Sequence, residues 1–205
     1  MPCRSDVDPV KVALTVSDSA VWLFFALLRK GFCLAATLPC DLETLLRDRL
    51  AIPAEYLSQR VQTVFLDGRA VDDMARAQAF NGSTVALSAA MPGLVGATLR
   101  RGGQLNVLRR SISSRDRTGE GSEAGPGRVT VKLFNLVCDE LGRDVLGRGI
   151  LLPPGDFQDF LAERWAGLAP DCRNAVVNDE PQEPGGMAAA VAQNRAVALL
   201  VRTAA

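Results

Sequence analysis

Apolar and polar side chains alternate over residues 10–16 (VKVALTV), the period-two pattern of a strand with one buried face, and Ser17-Asp18-Ser19 ends it. Residues 20–30 carry Trp22, Phe24 and Phe25 in an apolar run closed by Gly31; the aromatics also suit a continued strand, but the Ser/Asp cluster before the run favours a short helix. Residues 32–38 (FCLAATL) then return as the second strand of an antiparallel pair. Pro39 stops that strand, and Asp41 offers a carboxylate to the open amides of a helix whose Leu42, Leu45, Leu46 and Leu50 share one face. Strands at 64–66 and 84–87 follow, the first ending in the tight-turn dipeptide Asp67-Gly68 and the second introduced by Asn81-Gly82.

The pattern then repeats. Residues 129–134 (VTVKLF) and 150–152 predict strands joined by a short segment to Asp144, Pro153-Pro154 stops the second, and Asp156 caps a helix bearing Phe157, Phe160, Leu161 and Trp165 on one face. Val176-Val177 ends at Asn178-Asp179 as the earlier strand ends at Asp67-Gly68, and Met187, Ala188, Ala190 and Ala192 repeat Met74, Ala75, Ala77 and Ala79. Asn194 repeats Asn81, and a last strand closes the copy at 197–199. The chain therefore reads as a duplication. Residues 10–96 and 128–205 are the expected domains, separated by a basic segment and Gly-rich linker at 97–127. The expected fold class is α+β, each half a small mixed sheet crossed by one helix, with the same strand order in both.

Strand, connection, strand, helix, strand, irregular stretch and strand is an order that resembles the β-grasp of ubiquitin-like proteins. The resemblance is nearest to the sulfur-carrier branch typified by the small subunit of molybdopterin synthase. It is carried by VTVKLFN, LLPPGDFQDFLAERW and AVVND in the second half, and by LPCDLETLL, VFLDGRAVDD and STVAL in the first. These are turn and core residues, so they speak for a tandem β-grasp fold more than for an activity. The resemblance implies, for a carrier, a flexible tail ending in Gly-Gly whose carboxylate a partner enzyme adenylates and converts to a thiocarboxylate. This sequence ends Thr203-Ala204-Ala205, and a Gly-Gly, at Gly102-Gly103 after Leu99-Arg100-Arg101, lies within the chain.

Composition narrows the chemistry. The 205 residues are 48% apolar and 22% charged, and 23 basic side chains balance 23 acidic ones, so no global field attracts nucleic acid or an acidic membrane. With no histidine, His-based catalysis and His-containing metal sites are excluded by inventory. Cys3, Cys33, Cys40, Cys138 and Cys172 form no C-x-x-C element, so no metal is expected; incidental thiols suit a reducing cytoplasm. Neither a P-loop nor a G-x-G-x-x-G opening a helix is present, and no cofactor is expected. The start lacks an apolar signal core, and the run at 20–28 is short of the roughly 20 residues that span a bilayer, so a cytoplasmic protein without membrane insertion is expected.

Two places suit a protein partner. One is the local basic run with Arg100, Arg101, Arg109 and Arg110, interleaved with Leu105, Val107 and Leu108 and free of the aromatics that stack on single-stranded nucleic acid. The other is the aromatic run, in which Trp22 and Phe25 share a helical face and Phe24 points away, leaving a ring for docking. The expected function is a non-catalytic interaction or adaptor module. Its rival is a sulfur carrier or protein-modifier precursor processed after Gly103.

Overall fold

The structure is a computed structural model and describes residues 8–89, 96, 99–101, 123–183, 186–191 and 196–204. In chain order the strands are β1 (Val10–Val16), β2 (Phe32–Leu38), β3 (Cys40–Asp41), β4 (Thr63–Leu66), β5 (Arg69–Ala70), β6 (Gln78–Ala79), β7 (Thr84–Ser88), β8 (Gly125–Phe134), β9 (Ile150–Leu152), β10 (Cys172–Val177), β11 (Glu180–Pro181) and β12 (Val197–Thr203). The α-helices are α1 (Phe25–Lys30), α2 (Leu42–Leu50), α3 (Ala54–Gln59), α4 (Asn135–Arg148), α5 (Asp156–Leu168) and α6 (Met187–Ala190). A 3₁₀ turn, Val21–Phe24, leads into α1.

In place of the consecutive stretches 10–96 and 128–205, the compact units are Met1–Cys33 with Asp139–Ala205, and Leu34–Cys138. Each is a mixture of helix and sheet, and each draws on both halves of the sequence. We call them unit one and unit two.

In unit two the strands run β2, β8, β7, β4, β5. β7 and β8 are parallel, in register from Thr84↔Thr130 to Ser88↔Phe134, and β4 is antiparallel to both β7 and β5. Helix α2 begins where Asp41 Oδ1 accepts the Thr44 N–H at 2.7 Å and ends at Ala51 in the left-handed region. Its four leucines are buried, as are Val64, Leu66, Val85, Leu87, Val131 and Leu133 of the strands.

In unit one the order is β11, β10, β1, β12, β9. β1 is parallel to β12 from Val10↔Val197 to Val16↔Thr203 and antiparallel to β10, while β12 is antiparallel to β9. The antiparallel pairing of residues 10–16 with 32–38 expected from the sequence is therefore absent. The first strand of each half lies in the sheet built by the other: β1 among the later strands, β8 among the earlier ones. The strand orders also differ, because β8 is next to the pre-helix strand β2 whereas β1 is next to the post-helix strand β10.

Matching turns show the underlying repeat. Asp67 and Gly68 have φ of 51° and 77°, and Asn178 and Asp179 have 50° and 68°, the left-handed pairs of a tight hairpin. Asp67 donates its N–H to the Thr84 carbonyl and accepts the Thr84 N–H on Oδ1, both at 2.8 Å. Asn178 does the same to Lys11, at 2.9 and 3.0 Å. The place β7 holds in unit two is thus held in unit one by β1.

Two helix expectations change. The short segment before Asp144 is a 14-residue helix, with Val137, Cys138, Gly142, Val145 and Leu146 buried at helical spacing. Gly142 and Gly147 hide it at the sequence level, since glycine is a poor helix former and packing decides here. Asp156 is not the cap of α5: Gly155 is, and Asp156 instead receives Lys30 Nζ at 2.9 Å, with Asp159 at 3.0 Å.

Gly142 is where α4 closes on α1. A Cβ there would lie 2.7 Å from Phe25 Cζ, and Phe25 is wholly buried, so the ring cannot yield. Alanine improves helix propensity by about 1 kcal/mol but overpacks this contact, so we expect Gly142→Ala to cost a net 1–3 kcal/mol or thereabouts, read as a lower urea midpoint. An unchanged or higher midpoint would show that the two helices are not in contact.

Candidate functional site

Along β1, Val10, Val12, Leu14 and Val16 are buried, and the intervening Lys11, Ala13 and Thr15 point to the opposite face of the sheet. On a solvated face those second positions are polar. In unit one Lys11 and Thr15 keep to that rule, but Ala13, Leu151, Val176, Ala198 and Leu200 do not, and these five are partly exposed together. They line a groove of about 500 Å³, rimmed by Lys11, Arg148 and Asp179. In unit two the corresponding positions of the central strands include Thr84, Thr130 and Lys132. Phe65, Ala86 and Phe134 are partly exposed on the same face, so unit two's open face is mixed, and the groove is a feature of unit one.

The aromatic run sits in unit one and divides as its geometry dictates. Trp22 is 47% exposed and lies against buried Phe25, with ring centroids 4.8 Å apart. The Arg143 guanidinium stands 5.1 Å from the Trp22 centroid and is held by the Asp18 carboxylate, with Nη2 and Oδ2 3.0 Å apart. This pairing holds Asp18 below the usual carboxylate range and raises Arg143. Phe24 is wholly buried against Phe160, 5.0 Å away, so the docking role expected of Phe24 is corrected: it is core, and Trp22 is the exposed ring.

The basic run divides too. Arg100 is exposed. Arg101 is half-buried: its backbone N–H donates to the Gln62 carbonyl and Nη2 to the Leu57 carbonyl, both at 2.8 Å. Burial lowers its pKa. A guanidinium tied to the α3 backbone is not the solvated docking residue the sequence suggests. Arg109, Arg110, Gly102 and Gly103 lie outside the described residues.

Cys33 is disulfide-bonded, contrary to the expectation of incidental thiols, while Cys40, Cys138 and Cys172 are thiols. Burial pushes the Cys40 thiol up, with Asp41 adding to it, and burial likewise pushes up Cys172. Among the described residues no three Cys, Asp or Glu side chains are grouped to hold a metal, and no helix is long and apolar enough to cross a membrane. No family model, curated protein or solved structure matches this chain.

The groove is the feature that the sequence reading passed over. Its signal was present: VKVALTV and VALLVRT place Ala13, Ala198 and Leu200 where a solvated face carries polar groups. Alternation marks a strand and its buried side and leaves open what covers the other.

Arg101→Ala should cost about 1–3 kcal/mol, because it removes a charged donor and leaves the Leu57 carbonyl without it; a thermal melt unchanged from the parent would return Arg101 to the solvated surface. For the cysteines, a raised pKa means less thiolate at a given pH in the folded chain than in the unfolded one. We expect iodoacetamide to modify Cys40 and Cys172 at pH 8 roughly threefold or more slowly in the native protein than in urea, with the gap closing as pH rises. Equal rates at pH 8, resolved by peptide mass mapping, would contradict the burial of both thiols.

Proposed function

We propose that this protein is a non-catalytic interaction or adaptor module built from two ubiquitin-like β-grasp folds, and that its partner is a protein that docks an apolar segment on the open sheet face of unit one. The β-grasp reading is supported by the pattern common to both units: a pre-helix strand, an inner parallel pair, a post-helix strand and a short hairpin strand, with α2 or α5 as the crossing helix. The observation that carries the docking reading is the groove itself, in which Ala13 and Ala198 leave room between Leu151, Val176 and Leu200. Small residues beside larger ones make a receptive surface rather than a flat one, and charge at the rim orients what enters an apolar centre.

Leu200→Glu is the test. It puts a carboxylate on the open face, away from the buried Leu199 and Val201, so the melting temperature should stay within a few degrees of the parent. Proteins cross-linked to the intact parent in native cell extract should fall at least about tenfold with the variant, and their capture should persist at high salt, which screens charge but not apolar contact. If the folded variant captures the same proteins to the same extent, the open face is not the docking surface.

A further inference from the structure

We propose that the two halves of this chain are complementary fragments held together by reciprocal strand exchange, so that scission between Arg101 and Glu123 leaves both units folded and the two pieces joined. The inference stands on strand register and does not depend on the adaptor reading.

β1 comes from the early half, yet both of its neighbours, β10 and β12, come from the late half. Its ends are tied to late-half residues as well: Val10 N–H donates to the Ala196 carbonyl at 2.9 Å, and Ala204 N–H to the Val16 carbonyl at 2.8 Å. Ser17 donates its N–H to the Asp171 carbonyl at 2.9 Å and its hydroxyl to Asp171 Oδ1 at 2.8 Å. The segment after β1 continues the exchange, with Phe24 against Phe160, Phe25 in the hollow at Gly142, and Lys30 between Asp156 and Asp159.

β8 reverses the roles. It comes from the late half and lies between β2 and β7 of the early half. Thr130 N–H donates to the Ser83 carbonyl at 2.9 Å, Gly82 N–H to the Arg128 carbonyl at 2.8 Å, and Arg128 N–H to Asn81 Oδ1 at 3.0 Å. Val129, Val131 and Leu133 are wholly buried there. Separating the halves therefore withdraws an inner strand from each unit at once. The late half alone has no substitute for Phe24 and Phe25 over Phe160 and Gly142.

A consequence follows for Gly102-Gly103. A cut after Gly103 does not free an early-half protein, because that piece keeps β8 in unit two and its own β1 in unit one.

The experiment uses the full chain with a specific protease site inserted after Ser114, and a second version with the site after Gly121; the uncut forms must melt like the parent. After complete cleavage, size-exclusion chromatography with native mass spectrometry should show one species containing both pieces, persisting on dilution to roughly 10 nM, as a tight complex requires. The pieces are then parted in urea and returned to buffer. Each alone should lack a cooperative melt, and mixing them in equal amounts should restore the melt of the intact chain. Pieces that elute apart without denaturant, or a single piece that melts cooperatively as a monomer, overturn the proposal.

Discussion

Each unit is built on a parallel pair of inner strands, β1 beside β12 in one and β7 beside β8 in the other. Antiparallel neighbours can be joined by a two-residue turn, but parallel neighbours need a crossover, so the inner pair must be assembled from separated parts of the chain. That constraint makes exchange feasible in a duplicated sequence. The first strand of either copy offers the same direction and nearly the same buried face: Val10, Val12 and Leu14 in β1, and Val129, Val131 and Leu133 in β8. Direction alone does not choose between them. The choice comes from what is attached, since β1 leads into Phe24 and Phe25, and α4 presents Gly142 to receive a ring.

This is also why the sequence discloses the elements and not their partners. The apolar pattern marks β1, β2, β4, β7 and β9 close to their observed limits but finds only 129–134 of β8 and 197–199 of β12, and Asp41 caps α2 as its spacing requires. Both left-handed turns were legible as Asp67-Gly68 and Asn178-Asp179. Pairing is not a local property. Nothing within VKVALTV says whether it joins FCLAATL or CRNAVV, because either neighbour accepts the same pleat and the same alternation. Helix α4 was missed for a different reason: its two glycines lower propensity, and the contact that requires Gly142 involves a residue more than 100 positions away.

The candidate surfaces were legible in part, again by what is local. Spacing places Trp22 beside Phe25, as observed, but does not tell which of Trp22 and Phe24 faces outward, and a 3₁₀ turn over Val21–Phe24 shifts the faces from those of an α-helix. Counting arginines finds a basic run but not the carbonyls of Leu57 and Gln62 that take Arg101 out of it. An open apolar sheet face needs the strand order before it can be seen, because Ala13, Val176, Ala198 and Leu151 are far apart in sequence and adjacent only once β10, β1, β12 and β9 lie side by side.

The same topology bears on the two functional readings. A carrier works through a tail that follows the last strand of its sheet and has one free end, so that it can enter a partner enzyme. Here the chain that leaves β7 is fixed soon afterwards, where Arg101 bonds the Gln62 and Leu57 carbonyls, and later feeds β8, the strand beside β7. In sequence, Gly102 and Gly103 fall between Arg101 and β8. A surface, unlike a tail, needs no free end and is kept in shape by being built from both halves of the chain. The open face of unit one has that property: Ala13 is supplied by the early half, and Leu151, Val176, Ala198 and Leu200 by the late half, so the groove exists only while the exchange holds.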